Sequence, residues 1–138
     1  MANTVQQVEY YYTLVPNQPG EGGPGLNALK AAGVNLLAYS GFPASATRAQ
    51  LDFVPSDKDA FLAAAESAGI KLVGPKVAFL LQGDDRVGAV ADVLAKLADA
   101  RINVVAMNAV AAGEGRYGAI LWVEPRNVRR AANVLGVS

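Results

Sequence analysis

Two short stretches carry the groups best suited to chemistry: Asn17-Gln18-Pro19-Gly20-Glu21-Gly22 and Asp84-Asp85-Arg86-Val87-Gly88. Each lies between a predicted strand and a predicted helix. A turn there leaves backbone N–H groups unpaired at a helix N-terminus, where the helix dipole favours an anion such as a carboxylate. Gly20 and Gly88 let a ligand come close to the backbone. Asn17, Asp84 or Asp85 can accept hydrogen bonds from an ammonium group. A molecule with both charges, such as an amino acid, could use one loop for both ends. A plainer role fits the same residues: Asp85 caps its helix and Gly20 permits the turn.

Other chemistries fail on composition. The 138 residues include no histidine and no cysteine. No Ser-His-Asp or Cys-His nucleophile can be built, no zinc site of the usual kind, and no disulfide. Asp84 and Asp85 are adjacent and diverge, so they are not an acid/base pair, and they offer too few ligands for a hard cation. No catalytic residue, metal or cofactor is therefore expected, and an enzyme is the least favoured reading. Twelve basic residues balance twelve acidic ones, which gives no bulk attraction to nucleic acid or to an anionic membrane.

Three local patterns are also set aside. Gly20-Glu21-Gly22-Gly23-Pro24-Gly25 spells a dinucleotide-type glycine pattern, but no acid follows at the end of the next strand, and no lysine follows for a P-loop. Tyr10-Tyr11-Tyr12 lacks partner aromatics for stacking bases on the polar face of strand 48–54, which offers Arg48, Gln50 and Asp52. At least two of these tyrosines are assigned to the core, with Tyr11 the one that would face an interface. Arg126, Arg129 and Arg130 read as a solvated helix face.

The elements that must hold the two loops come from a repeat. Shifting the chain by 68 residues places Gly20 on Gly88, Leu26 on Leu94, Leu29 on Leu97, Val34 on Ile102 and Asn35 on Asn103. The chain then divides into units 1–74 and 75–138, joined near Gly74-Pro75. In the first, strands are predicted at 8–15, 34–39, 48–54 and 70–73, with helices at 22–32 and 57–68, the second opened by Ser56 and Asp59 as a capping box. Asn35 and Asn103, at the starts of second strands, read as structural. The second unit repeats the order with strands 77–81, 102–108 and 116–123, and helices 88–100 and from Pro125 to about 135. The fold class is α+β: two tandem ferredoxin-like β-α-β-β-α-β units, with antiparallel sheets and helices on one face.

Only Gly136-Val137-Ser138 remain for the last strand of the second unit, which is short or missing. The edge of strand 77–81 then needs a cover, and the N-terminal arm or another protomer is expected to supply it. Strand 116–123 is apolar on both faces, which predicts packing against a second sheet, in cis or in a dimer. The N-terminus carries no signal-peptide pattern and no run suits a membrane helix, so a cytoplasmic, soluble protein is expected.

The run from Gln82 to Leu94 with Leu97 and Ile102-Asn103-Val104, and in the first copy Asn17-Gln18-Pro19-Gly20, Leu26, Leu29 and Gly33-Val34-Asn35, resembles the ACT domain family. Departures are Val87 in place of proline, Arg101 in place of glycine, and the glycine-rich stretch after Gly20. The resemblance covers nearly the whole chain, as a stand-alone tandem of ACT-like units. It implies a non-catalytic regulatory protein that binds an amino acid or similar small metabolite at unit interfaces. Asn17 to Gly22 and Asp84 to Gly88 would form the ligand-binding sites. It also implies a homodimer and a possible regulated protein partner. A protein-interaction or oligomerisation module without ligand is the alternative.

Overall fold

A computed structural model describes residues 3–137. In chain order it contains β1 (Thr4–Pro16), α1 (Gly23–Ala31), β2 (Leu36–Pro43), β3 (Arg48–Pro55), α2 (Lys58–Ser67), β4 (Val73–Asp84), α3 (Ala89–Asp99), β5 (Val104–Gly113) and β6 (Arg116–Val123). A short 3-10 turn, Pro125–Asn127, then leads into α4 (Val128–Leu135). The residues group into two compact units. One is residues 9–76; the other joins residues 3–8 to residues 77–137. The cut therefore does not fall at residue 74 alone, because the first residues of β1 belong with the second half of the chain.

In the 9–76 unit, the strands lie in the order β2-β3-β1, each pair antiparallel. Phe53 stands opposite both Tyr11 and Tyr39, so one side of the sheet carries a row of aromatic side chains. Phe61 of α2 packs onto that row, its ring 5.6 Å from those of Tyr11 and Phe53. Leu29 of α1 and Leu51 complete the buried cluster. Fully burying such a side chain is worth about 1.5–3 kcal/mol. Tyr11 is thus core and not an interface residue, while Tyr10 and Tyr12 lie half-buried on the alternate side. Strand alternation forces this split once Tyr11 faces the helices.

Helix signals were mostly placed to within a residue or two. Gly33 follows the C-cap of α1 with φ +72°, and the Val34 N–H returns to the Leu29 carbonyl at 2.9 Å, the hydrogen bond of a Schellman-type stop. The start of α2 differs from the predicted capping box. Asp57 is the N-cap and accepts from the Ala60 N–H at 3.2 Å, whereas the Ser56 hydroxyl donates to the Asn35 carbonyl at 3.0 Å. The fourth strand also differs: residues 70–72 are not strand, and β4 begins at Val73 and runs unbroken to Asp84.

In the other unit, β6 lies between β4 and β5, antiparallel to both. Phe79, Leu121 and Met107 form one cross-strand row. Tyr117, Ala119, Leu121 and Val123 face a core closed by Leu97 of α3 and by Ala131 and Leu135 of α4. Ile120 and Trp122, on the alternate side of β6, are also buried. After α4, Gly136 turns the chain with φ +71° and Val137 packs on the core, so no strand follows there among the described residues. The free edge of β4 is taken by residues 4–8 of β1 instead. Val5 packs against the core and Asn3 Oδ1 accepts from the Asp84 N–H at 3.4 Å. The N-terminal arm thus supplies the missing strand. Among the described residues, no helix is long and apolar enough to cross a membrane.

Candidate functional site

β1 delivers the first candidate loop. It ends at Pro16, and the Asn17 N–H donates to the Thr47 carbonyl at 2.9 Å, which ties the loop to the β2–β3 turn. The Gln18 N–H donates back to the Pro16 carbonyl at 2.9 Å and the Glu21 N–H to the Gln18 carbonyl at 3.4 Å. Gly20 then takes φ +86°, a conformation costly for other residues, and a Cβ there would meet nothing within 4 Å. Gly22 is the N-cap of α1, with no side-chain cap, no acidic residue in the first turn, and proline at the helix start. Among the described residues, no hydrogen bond engages the N–H groups of Gly20, Gly22 or Gly23. The Asn17 and Gln18 amides have no partner there either.

Sequence reading missed one neighbour. Tyr39, on β2, has its hydroxyl 3.5 Å from where a Cβ of Gly22 would lie. Burial pushes the Tyr39 phenol pKa above its ordinary value, so it is a neutral donor and acceptor beside the loop. The signal was faint: a tyrosine in an apolar strand reads as core, and only the chain reversal between α1 and β2 brings it over the turn.

The second candidate loop follows β4 and is occupied by its own side chains. Arg116 Nη1 donates to Asp84 Oδ1 at 2.8 Å. The Asp85 N–H donates to the Gly115 carbonyl at 2.8 Å. The guanidinium of Arg86 pairs with Asp92 in the first turn of α3 and also donates to the Val87 carbonyl at 3.2 Å. Val87 stands wholly in solvent. Gly88 is the N-cap, left-handed at φ +82°, and makes no side-chain cap bond. Asp85 is therefore not the cap of α3. The polar groups placed here for a ligand's ammonium are partly spent on Arg116 and on backbone.

In the first turn the structure leaves Asn17, Gln18, Pro19 and Gly20 exposed and Glu21 and Gly22 half-buried, with the N–H groups of Gly20 and Gly22 unengaged among the described residues. In the second turn Asp84 and Arg86 are engaged in separate ion pairs, with Arg116 and with Asp92, and Gly88 is the N-cap of α3.

No family model matches the chain, and no curated protein matches it. Solved structures do. A protein from Bacteroides thetaiotaomicron aligns with a TM-score of 0.80 at 18% identity, over 97% of this chain and 88% of that one. The ligand-free regulatory subunit of aspartate kinase from Thermus thermophilus aligns at 0.64 and 17% identity, over 98% and 93%. That from Thermus flavus aligns at 0.63 and 19% identity, over 98% and 94%. The chain has an ACT-like fold. At these identities the likeness establishes the fold and not the ligand. In this ACT-like fold, both candidate loops are the turns from a first strand into a first helix.

Proposed function

We propose that this protein is a non-catalytic regulatory module that binds an amino acid or similar small metabolite at the Asn17–Gly22 turn. The observation that carries this reading is the cluster of unengaged N–H groups at the start of α1, beside a glycine with open space around it and the unpartnered amides of Asn17 and Gln18. A carboxylate suits the N–H groups and the helix dipole. The side-chain carbonyls of Asn17 and Gln18 suit an ammonium group. The regulatory role named for the aspartate kinase subunits is consistent with this assignment. The bound ligand would act by favouring one of two arrangements of the protein, in a homodimer or toward a regulated protein partner, in the cytoplasm.

The test is a thermal-shift screen of the amino acids on the full chain. A ligand at 100 times its dissociation constant adds about 2.7 kcal/mol of stability. Gly20→Val removes the shift and Gly88→Val preserves it. If no amino acid shifts the transition, the reading fails.

A second reading, an interaction module without ligand, draws on one observation. The outermost strands, β2 and β5, expose Leu37, Val105 and Val110, and bare apolar strand edges invite pairing. Light scattering decides whether the chain is a dimer, as proposed. A dimer that ignores every amino acid would favour this second reading.

A further inference from the structure

At the far end of α1 from the candidate loop, the 9–76 unit holds a cleft of about 410 Å³. Its apolar lining comes from Leu26 and Leu29 of α1 and from Val34 and Leu36, and it opens widely to solvent. Two polar side chains stand at its rim, Lys30 in the last turn of α1 and Asn35 at the start of β2. Among the described residues neither side chain has a partner: no ion pair or side-chain hydrogen bond engages Lys30, and Asn35 uses only its backbone carbonyl, to receive Ser56. Gly33 lies between them, with nothing within 4 Å of where a Cβ would be.

We infer that this cleft is a second binding site, for a short branched-chain aliphatic carboxylate. Four aliphatic side chains around a concave space, with few polar groups at one side, are the ordinary make-up of a small-molecule site. The aliphatic part of the ligand lies against the half-buried Leu26, Val34 and Leu36 and removes their remaining surface from water, Leu29 being buried already. The carboxylate meets the Lys30 ammonium and the Asn35 amide, which fixes the ligand's direction. The choice of a carboxylate follows from charge. Lys30 is the one charged residue lining the cleft, so an acid is attracted and an amine is repelled.

The repeat shows that this arrangement belongs to one unit. The positions matching Leu26, Leu29 and Val34 in the other unit are Leu94, Leu97 and Ile102, so the apolar wall recurs. Lys30, however, becomes Ala98, and Gly33 becomes Arg101 in a left-handed conformation at φ +59°. The second unit thus has alanine at the position of Lys30, its helix cation (Lys96) lying two residues earlier, and carries the long side chain of Arg101 where the first has open space.

This site is separate from the Asn17–Gly22 turn, and the test keeps the two apart by residue. The full chain, labelled with ¹⁵N, is titrated with 4-methylpentanoate and, in parallel, with the uncharged 4-methylpentanamide. The expected result is saturable shifts of backbone amides in residues 26–36, with affinity about fivefold weaker for the amide. Lys30→Met weakens the acid by about the same factor and leaves the amide unchanged. Lys30 is exposed, so its replacement does not threaten folding. Gly20→Val leaves both titrations as they are. Three results would overturn the inference. One is the absence of saturable shifts. Another is equal binding of acid and amide in the parent and in Lys30→Met. The third is a dilution-dependent change at residues 26–36 without ligand, which would place a second copy of the chain in the cleft.

Discussion

The two strand-to-helix turns fall on one another when the chain is shifted by 68 residues, and they are held differently. Asn17–Gly22 is fixed by backbone hydrogen bonds, from Asn17 to Thr47 and from Gln18 to Pro16, and its side chains are unengaged. Asp84–Gly88 is fixed by a backbone bond, from Asp85 to Gly115, and in addition by side chains: Asp84 on Arg116, Arg86 on Asp92, and Asn3 on the Asp84 N–H. The first turn keeps its side chains free for a ligand. The second turn has used the side chains of Asp84 and Arg86, while the N–H groups of Val87 and Gly88 are, among the described residues, as unengaged as those of Gly20 and Gly22. Equal spacing in a sequence therefore does not mean equal engagement of the side chains in the fold.

The largest effect that can break the comparison is expected at the crossover glycines. Gly74→Ala places a Cβ 2.9 Å from the Tyr10 carbonyl oxygen, at φ +142° where side chains are strained, and neither the backbone nor the buried Tyr11 ring can yield. Chemical denaturation should show a loss of about 3 kcal/mol. Gly83→Ala is the counterpart in the other unit. Its Cβ would lie 2.6 Å from Asn3 Oδ1, on a side chain that can shift, and from Cε1 of the buried Tyr117 ring, which can give only slightly, so about 2 kcal/mol is expected, less than at Gly74 because no backbone atom blocks it. Equal losses would mean that the N-terminal arm is held as rigidly as β1 beside Gly74.

The next effect concerns the borrowed strand. Val5→Asp puts a carboxylate against the core of the 77–137 residues and should cost about 2 kcal/mol. Hydrogen exchange should rise in residues 77–81. Unchanged protection there would show that the arm does not close that edge.

A smaller effect separates the two turns directly. Arg116→Ala removes the ion pair with Asp84, in which Arg116 is only 20% exposed, and should cost about 1 kcal/mol. Amide exchange should increase at residues 84–88 and stay constant at 17–22. High salt should act in the same direction on 84–88 alone. If both turns respond alike, the difference in how they are held is not real.

The smallest effect is a pH dependence with no counterpart in the other unit. Asp52 is 4% exposed, and its burial raises the carboxyl pKa, against opposing contributions from the Gln50 amide and Lys76. A folded-state pKa above the unfolded one means that the folded form is favoured by the protonated acid. That contribution is complete below the unfolded value and is lost as pH rises through the folded one. Asp52→Asn should therefore stabilise the protein at neutral pH, by less than about 1 kcal/mol. The gain over the parent should shrink as pH falls toward the ordinary aspartate value of 3.8. A gain that does not vary with pH would mean that Asp52 is not desolvated in the fold.

Much of the architecture was legible because it rests on local rules. The alternation of Leu51 and Phe53 with Gln50 and Asp52, the leucines at 26 and 29, and Gly33 after its helix are patterns that a strand, a helix and a stop require. The repeat located both candidate turns for the same reason. What escaped was set by contacts between residues distant in the chain. Tyr10, Tyr11 and Tyr12 are chemically identical, and only pairing with β3 decides which one meets Phe61. Tyr39 became a neighbour of Gly22 through a chain reversal that no spacing records. Asp57 won the capping position from Ser56 because Ser56 was taken by the Asn35 carbonyl.

The sequence alone determined the kinds of chemistry open to this protein. Without histidine or cysteine, and with glycine-bearing turns before helices, it is suited to holding a ligand by backbone groups, because a residue type is either present or absent whatever the fold. Tertiary structure alone decided which turn keeps its side chains unengaged, and which unit the first residues complete. Those outcomes depend on Arg116 reaching Asp84 and on Val5 reaching a core built mostly from the other end of the chain, distances that only the folded backbone sets.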